Sequence, residues 1–182
     1  IVETNIFDLN KIDLLIKKAD VCINLVGILF EKGSNNFTNI HEKFPSMISN
    51  LCEKHKISKF IHLSALGIEN AKDSKYAASK IKGEIEVRKH FKNAIILKPS
   101  IIYSVDDNFT TMLMSLLNLS PIFPLYYGGK TKFMPLHCVD ICNLIFELIE
   151  SDVDEKTIEC IGPEVFTFKQ IIEKLLKLTE KK

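Results

Sequence analysis

The sequence predicts an α/β chain: a doubly wound parallel sheet with helices on both faces, followed by a smaller C-terminal α+β portion. Two observations carry this. Up to Ser104, short and nearly continuous apolar runs alternate with helix-length segments, the pattern of parallel strands joined by crossovers. Beyond Ser104 the alternation loosens into helices, short strands and a Pro/Gly-interrupted loop. With 182 residues and 46% apolar content, the chain is long enough to bury a sizeable core.

Taken in order, "DVCINLVGILF" (20–30) has the β-branched apolar character of a strand buried on both faces, ending at Gly27. "NNFTNIHEKFPSMISNLCEKHKI" carries a helix over roughly residues 45–55, with Pro45 in its first turn. "KFIHLSAL" is a second strand, "YAASKIKGEIE" a run of good helix formers, and "NAIILKPSII" a third strand. Ligands of such sheets sit at the carboxyl ends of the strands. Next, "TTMLMSLLNLSPIFPLYYGGKTKF" reads as an apolar helix running into a loop with Pro121, Pro124, Gly128 and Gly129. It is too short and too interrupted to span a bilayer, and its bland reading is core packing; the sharper one is a pocket for an apolar ligand such as a quinone tail, or a membrane-peripheral patch. "VDICNLIFELIESD" reads as a helix, "KTIECIG" as a strand and "TFKQIIEKLLKLTEKK" as a terminal helix. That helix opens on a capping box, Thr167 with Gln170, and has lysines at its far end.

Composition excludes some partners. The 24 Lys and Arg nearly cancel the 23 Asp and Glu, so net charge implies no nucleic acid. Only Arg88 is Arg, which leaves phosphate recognition to Lys, hydroxyls and backbone amides. The five cysteines lack the paired spacing of a disulfide framework or zinc site and suit a reducing compartment, cytoplasm or organelle matrix. Cys138 and Cys142 share a helix face in "HCVDIC" but read as ordinary buried thiols, so no metal is expected. The chain opens on Ile, which suggests a piece of something longer.

In "SKYAASKIKGE" (74–84), Tyr76 stands four residues before Lys80, which stacks the two on one helix face. The spacing alone says little, since roughly 0.5 such matches arise by chance in this composition. A second copy, Tyr126 and Lys130, is interrupted by Gly128 and Gly129 and should not be helical. What singles out the first copy is its place after a buried strand. An ammonium near a phenol favours the phenolate, so the pair could pass a proton to a carbonyl oxygen as hydride reaches its carbon.

The ordered segments "INLVGILFEKG", "FIHLSALGIE", "YAASKIKGE", "LKPSIIY" and "MPLHCVDIC" resemble the short-chain dehydrogenase/reductase superfamily in its extended and atypical, NAD-dependent epimerase/dehydratase-like branches. More narrowly, they are similar to relatives of the 39 kDa accessory subunit of respiratory complex I, a group that includes a protein of ubiquinone biosynthesis. The resemblance covers about residues 4–150. It implies a Rossmann-like doubly wound sheet lacking its N-terminal strands, with residues 1–110 a partial NAD(P)-binding domain and 111–182 a smaller substrate- or partner-side portion. Carried over by position, Asp8 and Leu9 would face the adenine, and Asn24, Leu25, Val26 and Gly27 would pass along ribose and phosphates. Leu63 and Ser64 would line the site, Tyr76 and Lys80 would hold the nicotinamide ribose, and Pro99, Ser100 and Ile101 would lie near the carboxamide. Lys98 replaces the family's usual Arg. The implied catalytic set is Tyr76, Lys80 and Ser64, and the implied cofactor is NADP or NAD.

Two departures qualify this. The superfamily's catalytic serine falls on Ala65 if Ser64 takes the preceding serine position, or on Ser64 in the alternative register. None of the seven glycines forms a strand-to-helix phosphate loop, so this chain is expected to bind a dinucleotide weakly or not at all. Three functions remain open. One is a nucleotide-binding accessory or assembly factor of a respiratory or quinone pathway, partnered by respiratory-complex subunits or a quinone and peripheral to an inner membrane. The others are an active NAD(P)-dependent reductase or epimerase, and a cofactor-free interaction module.

Overall fold

The computed structural model describes residues 1–119, 123–153 and 156–178. In chain order its elements begin with α1 (Leu9–Ile16), β1 (Val21–Asn24), α2 (Phe44–Lys54), β2 (Lys59–Leu63), α3 (Lys75–His90) and β3 (Ile95–Pro99). They continue with β4 (Ile102–Tyr103), α4 (Asn108–Leu119), β5 (Lys132–Phe133), β6 (Leu136–His137), α5 (Cys138–Glu150), β7 (Thr157–Cys160), β8 (Phe166–Thr167) and α6 (Phe168–Leu178). Tertiary contacts divide the chain into two compact units, Ile1–Lys98 with Glu147–Glu159, and Pro99–Phe146 with Cys160–Lys182.

The first unit is built on a four-stranded sheet of order β1-β2-β3-β7, in which β1 pairs with β2 and β2 with β3 in parallel. This is the parallel α/β architecture that the alternation of strands and helices predicts, of the Rossmann-like kind that the resemblance implies. Helices α2 and α3 cover one face of the sheet, burying Phe44, Ile48, Cys52, Phe60, Val87 and Phe91 in one cluster. Phe60 meets Phe91 edge-on at 5.8 Å, a favoured aromatic geometry.

The expectation for the first strand needs correction on two counts. The first strand is shorter than predicted, ending at Asn24 rather than at Gly27. It is not buried on both faces either, because in this chain β1 forms the edge of the sheet and Ile23 is 36% exposed. The helix expected over 45–55 is α2, but a wider π-helical turn, Thr38–Lys43, leads into it, with Pro45 in the first turn where a missing N–H costs nothing.

Lys59, at the start of β2, reaches the end of α5. Its Nζ donates to the carbonyls of Leu148, Ile149 and Ser151 at 2.5, 3.0 and 2.6 Å. The last carbonyls of a helix lack intrahelical partners, so a cation placed there satisfies them and complements the dipole. Lys59→Met should therefore lower stability by about 1–2 kcal/mol, read as a urea midpoint shift; an unchanged midpoint would mean that water replaces the ammonium without loss.

The second unit is α+β, as expected for the C-terminal part. β4 and β6 pair in parallel and β5 and β8 antiparallel, each over two residues, too short for sequence periodicity to reveal. Its core joins Leu113 of α4 to Ile171, Ile172 and Leu175 of α6. Leu117 turns inward with Leu113, while Met112, Leu116 and Leu119 are exposed, so the apolar stretch divides between core and surface; its Pro121 and Ile122 lie outside the described residues. The capping box of α6 forms as predicted: Gln170 N donates to Thr167 Oγ1 at 3.2 Å, and Thr167 N donates to Gln170 Oε1 at 2.8 Å. Of the lysines at the far end of this helix, Lys181 and Lys182 lie outside the described residues. The second Tyr–Lys copy is not helical, since Tyr127 and Gly128 have φ of +52° and +65°. Among the described residues no helix is long and apolar enough to cross a membrane.

Candidate functional site

Ser74 caps α3, accepting from Ala77 N, and the helix runs without a break past Tyr76 and Lys80. Its Lys80 turn reaches the carboxyl end of β2 and the turn that follows β1. Lys80, only 6% exposed, donates through Nζ to the Leu63 carbonyl at 3.1 Å. A Cβ placed on Gly27 would lie 3.4 Å from Lys80 Nζ, so the turn after β1 closes directly over the ammonium. Gly27, Leu63, Tyr76 and Lys80 are thus brought together in the first unit.

Beneath them lies a buried polar cluster: Asn24, which the sequence reading placed along the cofactor, is only 2% exposed there, and the other members, His62, His41 and Ser79, were missed. Asn24 Nδ2 donates to His62 Nδ1 at 2.9 Å, while Asn24 Oδ1 accepts from Val26 N at 3.1 Å. His41, on the π-helical turn, accepts from Ile28 N at Nε2 (3.1 Å) and contacts Ser79 Oγ through Nδ1 (2.9 Å). The ring of His41 stacks on Phe37, and both meet Tyr76 edge-on, with centroids 5.4 and 5.8 Å from the tyrosine. His62 had a signal in the sequence, a polar residue inside a buried strand. His41 had none, because its turn read only as the approach to a helix.

Burial dominates the electrostatics. It lowers the Lys80 ammonium to about 8, with Glu84 opposing. His41 is lowered to about 4 by burial and by Lys80, so its ring is neutral. His62 falls to about 3 for the same two reasons, with His41 adding to them. Burial also raises the Tyr76 phenol, which reverses the sequence-based argument: Tyr76 is held protonated rather than pushed toward phenolate.

The remaining positions divide. Asp8 N-caps α1 by accepting from Lys11 N at 3.1 Å, and Leu9 and Leu25 are exposed. Val26 packs on the first core. Ser64 is buried and donates its hydroxyl proton to Glu84, whose other carboxylate oxygen meets Lys98 Nζ at 3.0 Å; Lys98 also pairs with Glu69. Pro99, Ser100 and Ile101 belong to the second unit, where Ser100 N donates to Cys160 O and Ile101 O accepts from Leu136 N, both at 2.9 Å. Cys142 is exposed and not a buried thiol as expected. Among the described residues no group of three or more His, Cys, Asp or Glu side chains is placed to hold a metal.

No family model matches the chain. The chain is 28% identical over 96% of its length to NADH dehydrogenase [ubiquinone] 1 alpha subcomplex subunit 9, mitochondrial, of Dictyostelium discoideum, covering 49% of that protein. It is 24% identical over 94% of its length to the NADH-ubiquinone oxidoreductase 40 kDa subunit, mitochondrial, of Neurospora crassa, covering 45% of it. The chain therefore spans about half the length of the curated relatives it matches. Among solved structures, UDP-glucuronic acid 4-epimerase from Bacillus cereus, in complex with UDP-glucuronic acid and NAD, superposes with a TM-score of 0.79 at 20% identity. That match covers all of this chain and 66% of the epimerase, and it shows the fold.

Proposed function

We propose that this chain, a relative of the 39 kDa complex I subunits with the fold of epimerase/dehydratase-type short-chain dehydrogenases, is the nicotinamide-side part of an accessory subunit of mitochondrial NADH:ubiquinone oxidoreductase. Its dinucleotide, NAD(H) or NADP(H), serves as a structural staple. Its partners are neighbouring subunits of that complex, at the matrix side of the inner membrane. Support for the site comes from the convergence of Gly27, Leu63, Tyr76 and Lys80 at the strand ends, where α/β sheets hold their ligands. Lys80 and Tyr76 would meet the nicotinamide ribose, and bound dinucleotide would supply hydride chemistry.

The observation that favours a staple over turnover is Ser64. Its proton goes to Glu84, and the next residue, Ala65, carries only a methyl group, so Tyr76 alone would polarise a substrate carbonyl. Loss of one oxyanion donor costs on the order of 2.7–4 kcal/mol of transition-state stabilisation, or 10²–10³ in rate. The chain also lacks a glycine phosphate loop, so pyrophosphate has no backbone cradle. A fluorescence titration of this chain with NADPH should show no saturation in the micromolar range. Micromolar affinity would contradict the missing-cradle argument, and steady reduction of a carbonyl substrate would contradict the staple.

A further inference from the structure

We propose that His41 is a positioning residue of this site: it ties the Gly27–Ile28 turn to α3 and fixes the ring of Tyr76. The inference rests on the dinucleotide reading above and adds a residue that neither the motif nor its spacing points to.

His41 is 2% exposed, and both ring nitrogens are committed. The Ile28 N–H needs an acceptor, so Nε2 carries the lone pair and the ring proton sits on Nδ1, donating to Ser79 Oγ; the Ser79 hydroxyl in turn donates to Tyr76 O at 2.7 Å. One chain of hydrogen bonds therefore runs from the turn after β1 to the backbone of Tyr76. A Cβ on Gly27 would lie 3.8 Å from His41 Nε2 and 3.4 Å from Lys80 Nζ, so imidazole and ammonium both face the glycine. The ring also forms one wall of the aromatic group around Tyr76, stacked on Phe37 at 5.3 Å and perpendicular to Tyr76 at 88°. The π-helical turn that carries His41 has the wider i→i+5 winding that is often found at functional sites. Packing alone would be served by phenylalanine. The two directional bonds require an imidazole whose Nε2 stays unprotonated, which burial and the nearby Lys80 ensure at neutral pH.

The test compares His41→Phe, His41→Gln and His41→Asn by three readouts: urea stability, amide hydrogen exchange at Gly27 and Ile28, and NMR shift titration with millimolar NADH. Phenylalanine keeps the ring volume and removes both bonds. It should speed Ile28 exchange by about fivefold or more beyond any change in global stability, and weaken NADH binding by a similar factor. Glutamine, which keeps an acceptor near the Nε2 position, should restore most of both. Asparagine retains only the Ser79 bond and should resemble phenylalanine at Ile28; it supplies the same comparison if His41→Phe does not fold. The proposal is overturned if the phenylalanine and asparagine variants leave exchange and affinity within twofold of wild type, or if glutamine loses as much as phenylalanine. Should the wild-type chain show no NADH shifts near Tyr76, the functional reading fails, while Ile28 exchange and the ¹⁵N signature of an Nδ1–H tautomer still decide whether His41 ties the turn to the helix.

Discussion

Replacing Gly83 by alanine should lower the stability of the chain by about 2 kcal/mol or more, although alanine is the better helix former. Propensity alone favours alanine over glycine by about 1 kcal/mol inside a helix, so the two effects have opposite signs and the measurement decides between them. Steric conflict should win. A Cβ on Gly83 would stand 2.0 Å from the His41 carbonyl oxygen and 3.2 Å from its carbon, both backbone atoms that cannot rotate away. Relief requires α3 to back off from the π-helical turn. That movement would stretch the His41–Ser79 contact and draw Lys80 away from Gly27, so the loss of stability should be accompanied by faster exchange at Ile28. A Gly83→Ala chain with unchanged or higher urea midpoint would show that the helix and the turn are not locked together.

The second large effect is a loss of stability on mild acidification. His62 titrates near 3 in the folded chain against 6.5 when free, because burial, Lys80 and His41 all disfavour its charged form. The unfolded chain therefore binds a proton that the folded chain refuses, and the stability present above pH 6.5 is lost as pH falls from there toward 3. At pH 4.5, two units below the free value, His62 alone accounts for a loss on the order of 3 kcal/mol. His41, lowered to about 4, acts in the same direction over most of this window. The paired carboxylates Asp13, Glu69 and Glu86, whose pKa values are lowered from 3.8 or 4.5, add to the loss only below about pH 4.5, which leaves the span from 6.5 to 4.5 to the histidines. Lys80 works at the other end: lowered from 10.5 to about 8, it makes the folded chain relatively more stable as pH rises between those values. Urea midpoints at pH 7 and 4.5 check the acid limb, and equal midpoints would mean that the two rings are hydrated and charge freely.

The fold was legible because apolar runs and helix formers agree along the first unit: β2 and β3 fall within the predicted segments, α2 matches its expected span to within a residue, and α3 runs beyond the expected helix formers at both ends. β1 misled because "INLVG" reads the same whether a strand lies in the middle of a sheet or at its edge, and only pairing distinguishes the two. The two-residue pairings of the second unit left no period to find. At the candidate site, the Tyr76–Lys80 spacing marks the face of α3 whose Lys80 reaches Leu63 and Gly27, but the energetics depend on long-range neighbours. Burial of Lys80 and Tyr76 follows from how α3 packs against β2 and the π-helical turn, and this reversed the expected direction for the phenol. Glu84 stands one turn beyond Lys80 in the sequence, where nothing marked it as part of the site. That it captures the Ser64 proton while also meeting Lys98 was not legible either, because it needs the ends of two strands brought beside one helix.

The claim on which the account turns is that Gly27, Leu63, Tyr76 and Lys80 form the nicotinamide-ribose end of a dinucleotide site. An NMR titration of the isotopically labelled chain with NADH in the millimolar range tests it most directly. The account predicts weak, fast-exchange shifts concentrated at Gly27, Ile28, Tyr76 and Lys80. Shifts that spare these residues, or their complete absence there, would contradict it.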